Sequence, residues 1–210
     1  YQPPTGALAL CTQNLPAPTI EDPEKYFKAV TYAGDDTENH SISTVGFQSD
    51  LIWIKNRTTT GQHVLIDTVR GDNRELFSSN ANAEQNPSTS GHRPALRSIH
   101  STGFTLSINV NPTGSTNSIP DNFVAWCWRA GGAPTVLNDS GATESSNNGS
   151  YTYKVAGQTP TAGSVKIDGE NMSGAFTSAD RYPSKMSVNN KAGFSPSILT
   201  LPAVGVWPAT

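Results

Sequence analysis

The stretch that most constrains this chain is Phe123–Gly132, FVAWCWRAGG. Read as a strand, it sends Phe123, Ala125 and Cys127 to one face and Val124, Trp126 and Trp128 to the other. A run apolar on both faces predicts a central strand, covered on both sides, with its tryptophans in the core. It stops at Arg129-Ala130-Gly131-Gly132. That composition predicts a hinge, where one module ends and a linker to the next begins.

The other apolar residues fall in short alternating runs, which predict strands. Tyr26–Tyr32 and Ser41–Phe47 read as two strands of a hairpin with a long polar loop between them. Asp50–Arg57 and Gln62–Val69 read as two more, Glu75–Ser78 as a short one, and Ala95–His100 with Gly103–Val110 as a hairpin around Ser101-Thr102. Later candidates are Tyr151–Val155, Ser164–Ile167, Lys185–Val188 and Phe194–Leu201. Glycine precedes phenylalanine at Gly46-Phe47, Gly103-Phe104 and Gly193-Phe194, a turn entering a strand whose Phe is buried. No segment carries a strong helical period.

Composition agrees. Hydrophobic residues are 35% and charged ones 15%, with 18 Gly and 15 Pro, the profile of a turn-rich, all-β extracellular protein rather than a helical enzyme. The expected fold is an antiparallel β-sandwich, jelly-roll or lectin-like. An extended, proline-punctuated arm (1–18) precedes the sandwich (19–132). A linker or long loop (133–150) and a β-rich C-terminal appendage (151–210) follow. The appendage is poor in large apolar residues, so it is expected to rest on the sandwich or on a neighbouring subunit. A net charge of −3 without a basic stripe excludes nucleic acid as the expected partner. No apolar run reaches the roughly 18 residues of a membrane span. The chain opens on Tyr1 rather than Met and shows no signal peptide, which predicts a processed or partial product.

Four runs in order resemble a known family: GFQSDLIWIKNR (Gly46–Arg57), HVLIDTVRG (His63–Gly71), STGFTL (Ser101–Leu106) and FVAWCWRAGG (Phe123–Gly132). Together they are similar to a domain of unassigned function found in large tail-fibre and virion-surface proteins of bacteriophages, aquatic ones especially. Tyr1–Pro18 resembles the end of a SPRY-like or lectin-like sandwich that precedes that domain in many relatives. The resemblance is good over about 1–132 and weaker as far as Phe194. Ala133–Arg181 reads as a variable insertion, and Pro196–Thr210 departs from the family pattern. The resemblance implies a fibre or virion-surface role and supplies no catalytic residue.

Several residue groups bear on chemistry. Asp35, Asp36 and Glu38 crowd one loop, a candidate calcium site, although the spacing lacks the ligand alternation of an EF-hand and a solvated turn explains it more simply. His63 and Asp67 share a strand face, and with His40, His92 and His100 they lack the paired-ligand spacing of zinc. Asp67 and Arg70 read as a structural ion pair fixing a turn. Phe47, Phe104, Trp53, Trp126 and Trp128 are expected in the core. Trp207, near the C-terminus, is the better candidate for stacking on a sugar. Cys11 and Cys127 admit two states. A bridge would contribute about 3–5 kcal/mol by closing a large loop; two buried thiols are the simpler reading. Asn39, Asn56, Asn138, Asn148 and Asn171 stand in glycosylation sequons, near the chance frequency for so Asn- and Ser-rich a chain. No Gly-x-Ser-x-Gly elbow and no phosphate-cradling glycine loop occurs.

The expected function is non-enzymatic: a structural subunit of an extracellular fibre, on a virion surface. Its partners would be further copies of itself, in an oligomer or helical fibre, other virion or fibre proteins, and surface glycans. Calcium is the one candidate cofactor. The alternatives are a carbohydrate-binding module and a glycan-cleaving enzyme, the latter requiring two facing carboxylates.

Overall fold

The computed structural model describes residues 4–6, 15, 17–86, 94–108, 116–141, 143–145, 152–154, 156–177 and 182–199, with the backbone alone at 144–145 and 152–154. The expected N-terminal arm, 1–18, falls largely outside these residues.

The described chain is all-β apart from one 3-10 turn at Pro23–Lys25. Strands β1 (Phe27–Ala33), β3 (Leu51–Asn56), β4 (Val64–Asp67), β5 (Gly71–Phe77) and β8 (Asn122–Trp128) make a five-stranded antiparallel sheet in the order β1-β8-β3-β4-β5. Strands β2 (His40–Ile42), β6 (Leu96–His100) and β7 (Gly103–Leu106) make a second antiparallel sheet in the order β2-β7-β6. The two sheets enclose one core. The larger contributes Val30, Ile52, Ile54, Val64, Ile66, Phe77, Phe123, Ala125 and Cys127; the smaller contributes Ile42, Leu96, Phe104 and Leu106. This is the expected sandwich.

Alternation builds it. In β3 every second side chain, Ile52, Ile54 and Asn56, is buried, and in β8 so are Phe123, Ala125 and Cys127. Each large apolar side chain sealed this way stabilises the fold by roughly 1.5–3 kcal/mol. The glycine of the Gly103-Phe104 pair has a steric role: a Cβ there would run into the Ile42 carbonyl of the neighbouring strand.

The expected hairpin of the first two strands does not form. β1 pairs with β8 and β2 pairs with β7, in different sheets. The loop between them is instead pinned across the chain. Gly34 N–H donates to the Asp121 carbonyl and Asp36 N–H to the Asn117 carbonyl, both at 2.9 Å. Asn117 Oδ1 also accepts from Asp35 N–H at 3.1 Å. These bonds turn the loop into a corner between sheets.

Beyond β8, β9 (Thr143–Ser145) and β10 (Thr152–Lys154) pair as a ribbon. Strands β11 (Val165–Ile167), β12 (Glu170–Asn171), β13 (Lys185–Val188) and β14 (Ser197–Ile198) form a small sheet in the order β12-β11-β13-β14, with β11 and β13 parallel. This sheet meets the sandwich where Phe194 stacks on Trp128. It also holds the segment after Gly132: Thr135 N–H donates to the Gly163 carbonyl at 2.9 Å, and Asn138 N–H to the Ser184 carbonyl at 2.7 Å.

The expected hinge at Gly131-Gly132 is a clamped junction. Gly131 is buried, and its N–H donates to Ser187 Oγ at 2.9 Å. A Cβ on Gly131 would collide with the carbonyl oxygens of Val188 and Lys166. Glycine stands here because another segment's backbone must come close, not because the chain must bend freely.

Candidate functional site

The outer face of the five-stranded sheet gathers aromatic and aliphatic side chains into rows set by register. Phe27, Trp128 and Leu51 align across three strands, and Ala29, Trp126, Trp53, Leu65 and Leu76 across five. The Phe27 and Trp128 ring centroids lie 5.0 Å apart, and those of Trp53 and Trp126 5.2 Å. His63 sits 5.9 Å from Trp53. Its pKa is lowered by burial and by the nearby Lys55. Phe27 and Leu76 are 40% and 37% exposed, which leaves the rows open to a partner. The small C-terminal sheet covers one end, where Phe194 stacks on Trp128 at 6.1 Å.

Trp53, Trp126 and Trp128 are therefore not core residues, contrary to the expectation from sequence. All three are half-buried and stand outside the sealed cluster. β8 is central in its sheet, but only its Phe123 face meets the second sheet. Trp53 Nε1 is inaccessible and has no hydrogen-bond acceptor. Phe47 and Phe104 are buried in the core as expected.

A second feature lies where the C-terminal sheet meets the sandwich. A polar cleft of about 490 Å³ is lined by Tyr26, Gln48, Asp50, Arg129, Asp168 and Lys191, among others. Asp50 is 1% exposed. Its Oδ2 accepts from the N–H groups of Ala130 at 2.7 Å and Gly132 at 3.3 Å, and its Oδ1 accepts from Thr68 Oγ1 at 3.0 Å. Burial raises its pKa, and these bonds, with one from Gln48, offset the rise only in part. Asp168, at φ 51°, accepts from Asn190 N–H at 3.0 Å and from Asn190 Nδ2 at 3.1 Å. Two carboxylates thus border the cleft. Asp50, buried and bonded to donors from its own chain, is a strut joining three segments.

The other residues singled out by sequence are placed as follows. Asp67 and Arg70 form a tight pair: Nε donates to Oδ2 at 2.6 Å, and the Arg70 N–H donates to Oδ1 at 2.8 Å. The candidate calcium residues do not converge. Asp35 Oδ1 accepts from Thr37 and Asn117, and it faces His40 at 3.3 Å. Glu38 binds Arg97 at 2.8 Å and the Ile108 N–H at 3.1 Å. Asp36 is exposed. Among the described residues no three His, Cys, Asp or Glu side chains gather as a metal site. Cys127 is a buried thiol, and burial pushes it up to about 12 despite a nearby Ser49 hydroxyl. Cys11, His92, Asn148 and Trp207 lie outside the described residues.

Of the sequon asparagines, Asn39 and Asn171 are exposed. Asn56 and Asn138 are buried and committed, which corrects their standing as glycan acceptors. Asn56 Nδ2 donates to Asp121 at 2.7 Å, and Asn138 Nδ2 donates to the Gly157 and Pro183 carbonyls at 2.7 and 3.2 Å. Sequence reading passed over Asp50, Glu75, Asn117 and Asp121, which tie distant segments together. Their one visible signal is a polar residue beside an apolar run.

No curated protein and no solved structure matches the chain. Residues 22–172 match a family described as a domain of unknown function (DUF7483), a span from the 3-10 turn through β12 that crosses the supposed boundary at Gly132. The chain belongs to that family.

Proposed function

We propose that this chain is a non-enzymatic structural module of an extracellular fibrous assembly, a bacteriophage tail-fibre or virion-surface protein that works by association. The observation that carries the reading is the outer sheet face, with Trp126, Trp53, Leu65 and Leu76 in one registered row, Phe27 in the next, and one end open. Burying such aromatic and aliphatic surface drives protein association, and Trp dominates the energetic centres of interfaces. The second support is β1. Among the described residues it is an edge strand of seven residues, bonded to β8 alone, and an open edge accepts another strand. The phage-fibre identity rests on the order of the four sequence runs.

Negative-stain electron microscopy with light scattering tests this. Filaments or a defined oligomer are expected, and Trp126→Ala should weaken assembly at least about tenfold in concentration, the effect of losing roughly 1.4 kcal/mol at an interface. A monomer at high concentration, unchanged by Trp126→Ala, would overturn it. A second reading, a carbohydrate-binding module, is favoured by the same aromatic rows, because sugar rings stack on half-exposed indoles. Glycan binding by a monomer, lost with Trp126→Ala, would favour that reading.

A further inference from the structure

We infer that the cleft between the sandwich and the C-terminal sheet is a binding site for an anionic saccharide, a sugar bearing a carboxylate or a sulfate. The argument is one of uncommitted charge. Among the described residues Arg129 and Lys191, both exposed and both on the cleft wall, make no side-chain ion pair or hydrogen bond with the protein. Of the two carboxylates that border the cleft, Asp50 is sealed by its own donors, and the exposed Asp168 accepts from the neutral Asn190 groups and keeps lone pairs for a ligand hydroxyl. On the far side of Arg129, Asp22 and Glu24 carry Lys25 at 3.4 Å and Lys28 at 3.3 Å. Two free cations lining one cleft, one from each sheet, attract an anion, and a guanidinium matches a carboxylate or sulfate in a forked, two-bond geometry.

The remaining wall selects a sugar over a simple ion. At about 490 Å³ the cleft is far larger than one anion needs and falls within the size range of small-molecule sites. The Tyr26 hydroxyl makes no hydrogen bond to the described protein, so it is free to meet a ligand hydroxyl. Asp168 keeps lone pairs beyond those Asn190 uses and accepts from hydroxyls. At Gly132 and Gly169 nothing lies within 4 Å of where a Cβ would stand, so the floor is open backbone. Anion recognition by Arg129 and Lys191 and hydroxyl recognition by Tyr26 and Asp168 together describe an acidic sugar. Both sheets are required: Tyr26 and Arg129 come from the sandwich, Asp168 and Lys191 from the appendage.

The site does not depend on assembly through the outer face, so the two proposals fail separately. The test is isothermal titration of the full chain with glucuronate, N-acetylneuraminate, glucose 6-sulfate, glucose and inorganic sulfate. At least one acidic sugar should bind about tenfold or more tightly than glucose and than sulfate, weakening as salt rises. Arg129→Ala and Lys191→Ala should each lower that affinity about tenfold with the melting temperature unchanged. Arg74→Ala, a cation of β5 that does not line the cleft, should leave it unaltered. Equal binding of glucose and glucuronate overturns the anionic part, and sulfate binding as tightly as any sugar overturns the saccharide part. No binding by any probe, or affinities indifferent to Arg129→Ala, overturns the site.

Discussion

Asp50 Oδ2 accepts a 2.7 Å hydrogen bond from the Ala130 N–H, eighty residues further along the chain. The same oxygen takes the Gly132 N–H, and Oδ1 takes Thr68. One buried carboxylate therefore fixes the start of β3, the turn after β4 and the exit from β8. Asp50→Ala leaves two backbone N–H groups at a buried junction without their acceptor. The expected loss is about 2–4 kcal/mol in urea unfolding, read at neutral pH. A change within a few tenths of a kcal/mol would show that the junction is held elsewhere.

Buried carboxyls also set the pH dependence. Burial raises Asp50 and Glu75 above their ordinary values, and the backbone bonds they accept, such as that from Ala95 to Glu75, only partly offset it. Their folded pKa exceeds the unfolded one. Each contributes fully below the ordinary carboxylate range, and that contribution is lost as pH rises through the raised value. Asp121 runs the other way, because bonds from Ser118 and Asn56 hold it below its ordinary value. Its contribution is present above the ordinary range and lost as pH falls through the lowered value. Urea midpoints from about pH 2 to about pH 8 should show a shallower acid limb in Asp121→Asn and a smaller decline on raising pH in Glu75→Gln. Parallel profiles for wild type and both variants would contradict the assignment.

At Gly131 the expected effect is steric. Gly131→Ala pushes a methyl into the Val188 and Lys166 carbonyls, so the C-terminal sheet must lift from the sandwich or both must shift. The predicted cost is about 2–4 kcal/mol, with faster protease cleavage beyond residue 132. A variant as resistant as wild type would mean the segment is free there, as a hinge would be.

Cys127 should be chemically silent in the native state. Its thiol is fully buried and pushed up to about 12, so almost none is thiolate at neutral pH. In a Cys11→Ala background, reaction with a disulfide reagent should proceed only at the rate of unfolding and accelerate with urea. Labelling at the speed of an exposed thiol would place Cys127 at the surface.

The residues divide clearly between what sequence shows and what it hides. Strand positions were legible from alternation alone: Leu51–Asn56, Lys185–Val188 and the Leu96–Leu106 hairpin stand where local pattern puts them. The buried roles of Phe47 and Phe104 and the Asp67–Arg70 pair were legible too, because turn and strand periods fix them within a few residues. The face of a tryptophan was not. Trp126 and Phe123 alternate correctly, but which of the two faces meets the second sheet depends on strands far away in the chain.

The opening stretch shows the same division. By itself, FVAWCWRAGG determined a strand with two distinct faces and a stop after Trp128, since side chains alternate and glycines interrupt. Tertiary structure decided that the cysteine face is the sealed one and the tryptophan face the open one, because the β2-β7-β6 sheet covers only the first. It also decided that Gly131 is a point of closest approach rather than a hinge. Long-range hydrogen bonds from the Ala130 and Gly131 N–H groups to Asp50 and Ser187 choose that outcome, and no local pattern encodes a partner more than fifty residues away.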